Sequence, residues 1–174
     1  MIKSKRSAAK KVCTAFTATF VSQLKTPYNI HFGGGFKRAT NALRGSYYFH
    51  VQPGGTFVGG GFWGPSPEDL KRIREDIALN GDELKTILNS KKFKANFGQL
   101  WGDALKTAPK GFDKEHPHMD LIKMKQFLVS RSFTDEEVLS PNFHVKLSNA
   151  FKEMRPFFDY MSLALTTDAN GEKI

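Results

Sequence analysis

The stretch Arg44 to Trp63, R-G-S-Y-Y-F-H-V-Q-P-G-G-T-F-V-G-G-G-F-W, constrains the fold more than any other part of the chain. Tyr47, Phe49 and Val51 alternate with Tyr48, His50 and Gln52, so each set shares one face of a strand. Pro53 presets φ at the first central position of a turn. Gly54 supplies the positive φ that a type II turn requires at the second. Phe57 and Phe62 anchor a return strand. The stretch therefore predicts a β-hairpin with helices and short strands arranged around it. Gly59, Gly60 and Gly61 are costly in a strand, because glycine gives up the most backbone freedom and packs no side chain. Such a run implies a bulge, a tight backbone crossing or room for a ligand, and the crossing is preferred.

Ahead of the hairpin, Ile30 to Phe36 reads as a short strand interrupted by Gly33, Gly34 and Gly35, and Lys37 to Leu43 as a polar connection. Behind it, Ser66-Pro67 is an N-cap with proline at the first helical position, and Glu68 and Asp69 favour the positive end of a helix. Leu70, Ile73 and Ile77 form its apolar stripe, and Asn80-Gly81 reads as its end. Asp82 caps a second helix carrying Leu84, Ile87 and Leu88. Phe93 and Phe97 mark a third helical turn, stopped by Gly98. Leu100 to Lys106 reads as a strand, Ala108 to Pro117 as a loop, Met119 to Met124 as helix and Lys125 to Phe133 as a strand. Thr134 with Glu137 forms a capping box. From Pro141, Phe143, Leu147, Phe151, Met154, Phe158, Met161 and Leu165 step by three or four along an amphipathic helix that Pro156 must kink or split. The tail from Thr166 is polar. No repeat is visible, so the expected architecture is a single α+β domain: an antiparallel β-hairpin or sheet packed with several helices, the last of them amphipathic.

A chain of 174 residues with 40% hydrophobic content and 16 Phe is long enough to bury a core of its own. No apolar run approaches the roughly 20 residues that span a bilayer. Met1 to Lys11 is basic but is followed by no long apolar region, so it does not read as a secretory signal. Cys13 is the single cysteine, which excludes an internal disulfide framework and any multi-cysteine zinc site. A cytoplasmic location is the default expectation. The net charge of +9 resides entirely in residues 1–50, where Lys3, Lys5, Arg6, Lys10, Lys11, Lys25, Lys37, Arg38 and Arg44 meet no acid; the remaining 17 cations and 17 acids cancel. A basic arm for phosphate contacts is one reading of that asymmetry.

Candidate chemistry is sparse. His116-Pro117-His118 with Asp113, Glu115 and Asp120 offers imidazole and carboxylate donors for a metal, but a third ligand at a defined spacing is missing. A polar loop capping the next helix is preferred, and no metal is expected. His50 beside Tyr48 suits a general base or proton shuttle; a hydrogen-bonded structural histidine is the commoner outcome. Lys25, Tyr28, His31, Lys110 and Arg131 sit at predicted strand or loop edges and together would line a pocket for a phosphate or carboxylate. Singly, each is an ordinary surface or snorkelling residue. Gly33 to Gly35 is not a phosphate-binding loop of the Walker type, since no Gly-Lys-Ser/Thr follows, and there is no G-x-S-x-G elbow. Cys13 has no evident partner for nucleophilic catalysis. The hairpin aromatics would serve either as core or as a platform for stacked bases.

Several segments carry a family resemblance in combination and in order: K-T-P-Y-N-I-H-F-G from Lys25, Y-Y-F-H-V-Q-P-G-G-T-F-V-G-G-G-F-W from Tyr47, the I-R-x-x-I spacing at Ile73 to Ile77, P-K-G-F-D-K-E-H-P from Pro109, and K-Q-F-L-V-S-R from Lys125. From Lys25 to about Leu165 the chain resembles the bacterial and fungal family called domain of unknown function 2461. The resemblance implies a free-standing α+β domain and assigns it no activity, cofactor or catalytic residue.

The front departs from the pattern. Family members open with a long helical region containing an N-x-x-W-F-type segment, then a strand R-I-Y-R-D-x-R-F-S that runs into K-T-P-Y. Here C-T-A-F-T-A-T-F-V-S-Q-L stands in its place, from Cys13 to Leu24. One choice of codons for that segment, read in a shifted frame, yields H-R-I-Y-R-D-V-R-F-S-T. Residues 12–24 are therefore expected to be a frameshifted translation, and residues 1–24 an aberrant basic segment ahead of a domain at 25–165 and a polar tail at 166–174. The loss of three arginines and an aspartate would weaken an anion pocket that includes Lys25, Tyr28, Lys110 and Arg131. Three functional readings follow: an anion-binding domain using Lys25, Tyr28, His31, Tyr48, His50, Lys110 and Arg131; a nucleic-acid-binding module; and a truncated product with no chemistry.

Overall fold

The computed structural model of the chain describes residues 30–167 and residue 172. Lys25, Tyr28, Cys13, the proposed frameshift at 12–24 and most of the polar tail lie outside the described residues. Four strands, β1 (Phe32–Lys37), β2 (Ser46–Val51), β3 (Phe57–Phe62) and β4 (Phe127–Ser132), form one antiparallel sheet in the order β1-β2-β3-β4. The hairpin is β2–β3. Its turn closes with Gly55 N–H donating to the Gln52 carbonyl at 2.9 Å, and Gly54 carries φ +70°, as a type II turn requires.

The three glycines of β3 are a tight crossing. A Cβ on Gly60 would stand 2.7 Å from the Ser46 carbonyl and 2.8 Å from the Phe158 ring. Gly61 has φ +136°, and a Cβ there would come within 2.1 Å of the Phe127 carbonyl. The glycines of β1 behave differently from expectation. They do not interrupt that strand, because Gly33, Gly34 and Gly35 all pair in register with His50, Phe49 and Tyr48.

Six helices follow: α1 (Pro67–Asn89), α2 (Lys91–Phe97), α3 (Met119–Ile122), α4 (Asp135–Leu139), α5 (Phe143–Glu153) and α6 (Arg155–Thr166). Ser66 caps α1 by accepting from the Asp69 N–H at 3.0 Å. At Asn80-Gly81, where one helix is expected to end and a second to begin, α1 is two helical pieces meeting at a kink: Asn80 leaves helical geometry and helix resumes to Asn89. Gly81 is also buried against the His118 ring, where a Cβ would clash at 2.5 Å, so glycine there admits a neighbour as well. Leu100 to Lys106, by contrast, is not a strand. Only two isolated bridges, Trp101–Leu128 and Ala104–Met124, tie it to the β4 side. The capping box of Thr134 and Glu137 opens α4 as expected, and the long C-terminal stripe is split into α5 and α6 at Met154, with Pro156 in the first turn of α6.

Side-chain alternation gives the sheet two unlike faces. Phe49, Val58, Phe62, Phe127 and Val129 point to the helices and meet Ile73, Ile77, Leu84, Phe93, Phe157, Phe158 and Met161 in one cluster of buried side chains. Fully burying each such side chain is worth about 1.5–3 kcal/mol, so this layer holds the domain together. Among the described residues no helix is long and apolar enough to cross a membrane.

Candidate functional site

The sequence-predicted site residues fall on different surfaces. His31, Tyr48 and His50 come together on the face of the sheet that no described helix covers. The His31 and His50 rings stack at 4.7 Å, and His50 stacks on Phe57 at 5.1 Å. Tyr48 Oη lies 3.4 Å from His50 Nδ1, while His50 Nε2 lies 3.1 Å from Gln52 Oε1. Both ring nitrogens of His50 thus have hydrogen-bond partners two residues away on the same segment.

Arg131 lies elsewhere. It pairs in register with Val58 and so shares the helix-facing side. Its guanidinium donates to Asn96 Oδ1, stands 3.7 Å from the Glu137 carboxylate and lies 4.8 Å over the Phe133 ring. These contacts tie β4 to α2 and α4. Glu137 in turn sits below its ordinary carboxylate pKa, held there by the Thr134 N–H and then by Lys146, which approaches at 3.2 Å. Lys110 is exposed on the loop leading to α3. The structure does not join Arg131 to His31, Tyr48 and His50.

The His116–His118 loop packs one of its two imidazoles into the fold. His118 is buried under Gly81, its Nε2 is 3.6 Å from Asp82 Oδ1, and its N–H donates to His116 Nδ1 at 3.2 Å. Asp120 pairs with Lys85 at 3.2 Å. Among the described residues, no three metal-ligating side chains lie together.

A different group of residues forms a cavity. Where β1 and β2 meet α5 and α6, a space of about 490 Å³ is lined by Phe36, Lys37, Arg38, Ala39, Leu43, Tyr47, Ser148, Phe151, Lys152, Arg155 and Asp159. Its floor is aromatic: the Phe151 ring meets Phe36 edge-on at 6.0 Å and Tyr47 at 5.2 Å, and Tyr47 leans on Phe158 at 4.9 Å. Its rim carries four cations, Lys37, Arg38, Lys152 and Arg155, against one carboxylate, Asp159. Arg38 is committed in part. It pairs with Asp159, and its Nη1 donates to Ser162 Oγ at 3.3 Å. Burial pushes the Tyr47 phenol above its ordinary pKa, outweighing the opposing pull of Arg38 and Arg155. The phenol is therefore protonated at neutral pH and available as a donor.

Sequence reasoning passed over this cavity for a physical reason. Lys37 and Arg38 read as part of a polar connection, while Lys152 and Arg155 fall outside the apolar stripe that marks the last helix. A signal was present in the spacing: Ser148, Lys152, Arg155 and Asp159 recur at steps of four, three and four, beside the apolar stripe that holds Phe151. An aromatic next to a cationic stripe, opposite Phe36 and Tyr47, is what distinguishes it from a solvated face.

The family described as "Conserved hypothetical protein (DUF2461)" matches residues 18–160, which covers the sheet and the helices through the first half of α6. No curated protein and no solved structure matches the chain. With more than half of its length matched, the chain belongs to the domain of unknown function 2461 family.

Proposed function

We propose that the protein binds a small amphipathic anion in the cavity between β1–β2 and α5–α6. The observation that carries this reading is the pairing of an aromatic floor with four cations and a single carboxylate around one space of about 490 Å³. That size is within the range of roughly 300–1,000 Å³ occupied by small-molecule sites, which combine apolar walls with a few convergent polar groups. The apolar part of the ligand lies on Phe36, Tyr47 and Phe151. The head group, a carboxylate or phosphate, is held by Lys152, Arg155 and Lys37 through charge-assisted hydrogen bonds, about twice as strong as neutral ones. Tyr47 Oη supplies a neutral donor beside them. The reading is one of binding; it assigns no reaction.

A titration series of alkyl carboxylates tests it. Each buried CH₂ contributes about 0.8 kcal/mol, so affinity rises about fourfold per CH₂ until the cavity is filled. Alcohols of equal length, lacking the charge, bind more weakly. Alkyl phosphates beside the carboxylates show which head group the rim prefers. Equal affinity for alcohols and carboxylates, or no binding by any member, defeats the proposal.

The opposite face of the sheet favours a second reading. His31, Tyr48, His50 and Phe57 present rings at contact spacing on strands whose outer positions include Gly33, Gly35 and Gly59, a flat surface suited to stacked bases. Together with the excess of cations in residues 1–50 it would serve a nucleic-acid-binding module. Binding of single-stranded oligonucleotides that weakens steeply with salt supports this reading; no binding even at low salt removes it.

A further inference from the structure

The connection that walls the cavity between β1–β2 and α5–α6 also contributes to a second space. There, Lys37, Arg38, Arg44 and Ser46 stand with Thr40 and Asn41 around an open space of about 480 Å³, bordered by the end of β3, Trp63, Pro65 and the first turn of α1. Three cations line it against one carboxylate, Asp69. Arg44 gives a single N–H to Asp69, at 2.8 Å. A guanidinium carries five such donors in a fixed fork, so Arg44 retains the planar donor array that a phosphate takes.

The rim has a second feature of a different kind. Trp63 is 67% exposed, although it follows directly on a buried phenylalanine in β3, and Trp101 beside it is 47% exposed. Their rings meet almost perpendicularly at 6.2 Å, so each is held by the other and neither is covered by the core. A solvent-facing indole, Trp63, at the mouth of a cationic cavity provides an aromatic surface and an anion clamp within one site. Trp63 and Trp101 are the only tryptophans in the chain.

We propose that this cavity is a separate site for a phosphate monoester borne on an aromatic ring, with the phosphate at Arg44 and the ring against Trp63. It is a different chemical class from the flexible amphiphile assigned to the neighbouring cavity, and it stands whether or not that assignment holds.

The indoles make the test direct, since one of the two tryptophans, Trp63, lines this cavity and the other, Trp101, stands against the Trp63 ring at 6.2 Å. Phenyl phosphate, phenol and inorganic phosphate are titrated separately into the full chain with excitation at 295 nm. Phenyl phosphate is expected to change the emission saturably and to bind at least tenfold more tightly than phenol or inorganic phosphate. Arg44→Gln is expected to weaken phenyl phosphate about tenfold. Asn41→Asp, which adds a carboxylate at an exposed lining position, weakens it in the same direction and reports the electrostatics without touching the Arg44–Asp69 pair. A saturable response to phenol equal to that for phenyl phosphate overturns the proposal. So does the absence of any saturable response, or unchanged affinity in both variants.

Discussion

Two halves of one sheet face use their cations in opposite ways. On the β3–β4 side, Val58, Phe127 and Val129 are fully buried, and Arg131 is absorbed by Asn96, Glu137 and the Phe133 ring. On the β1–β2 side, Phe36 and Tyr47 are only half buried, and Lys37, Arg38, Lys152 and Arg155 surround a cavity with one carboxylate among them. The contrast teaches that a charged side chain near an aromatic layer has no fixed meaning. Where hydrogen-bond partners and opposite charge converge on it, it is part of the frame; where cations outnumber carboxylates around empty space, we propose that it serves a ligand.

That distinction is breakable by substitution. The largest effect is expected at Phe127, which has no exposed surface: Phe127→Ala should cost about 3–5 kcal/mol in a urea melt. Gly61→Ala should follow at about 1–3 kcal/mol, because its φ of +136° and the nearby Phe127 carbonyl leave no place for a Cβ. Thr134→Ala, which removes the capping box of α4, should cost about 1 kcal/mol.

The ionic part of the frame adds a pH signature. The folded-state pKa of Glu137 is depressed, so its contribution is present at neutral pH and is lost as pH falls from the ordinary Glu range, about 4.3, through the lower folded value. Melts of Glu137→Gln and the parent should therefore differ near pH 7 and converge at acid pH; a constant gap would show that Glu137 acts through packing alone. On the cavity side, Lys152→Ala and Arg155→Ala are expected to change stability by no more than about 0.5 kcal/mol each. A loss comparable to that of Thr134→Ala would erase the contrast between the halves.

Much of the frame was legible in the sequence. The alternation of Tyr47, Phe49 and Val51, the Pro53-Gly54 turn, the Ser66 cap and the Thr134–Glu137 box are local signals, and each appears where its chemistry puts it. Leu100–Lys106 departs from the expected strand because its outcome depends on a distant partner: Leu128 offers Trp101 a bridge in place of a full strand ladder. The same holds for the site. Alternation puts Tyr48 beside His50, and strand pairing adds His31, which the sequence groups with Lys25, Tyr28, Lys110 and Arg131, to that pair. Arg131 was grouped with them by residue type, and the register sends it to the other face. The cavity residues come from β1, β2, α5 and α6, far apart in the chain, and only the packing of α5 and α6 against the hairpin brings Phe151 to Tyr47.

The central claim is that the cations beside β1–β2 serve a ligand, not the fold. Calorimetric titration of decanoate into the parent and into the Lys152→Ala/Arg155→Ala double variant tests it most directly, with a thermal melt of each protein alongside. The account predicts affinity at least tenfold weaker in the double variant, with the melting temperature nearly unchanged. Equal affinity in the two proteins would contradict it, and so would a double variant that loses binding only because it no longer folds.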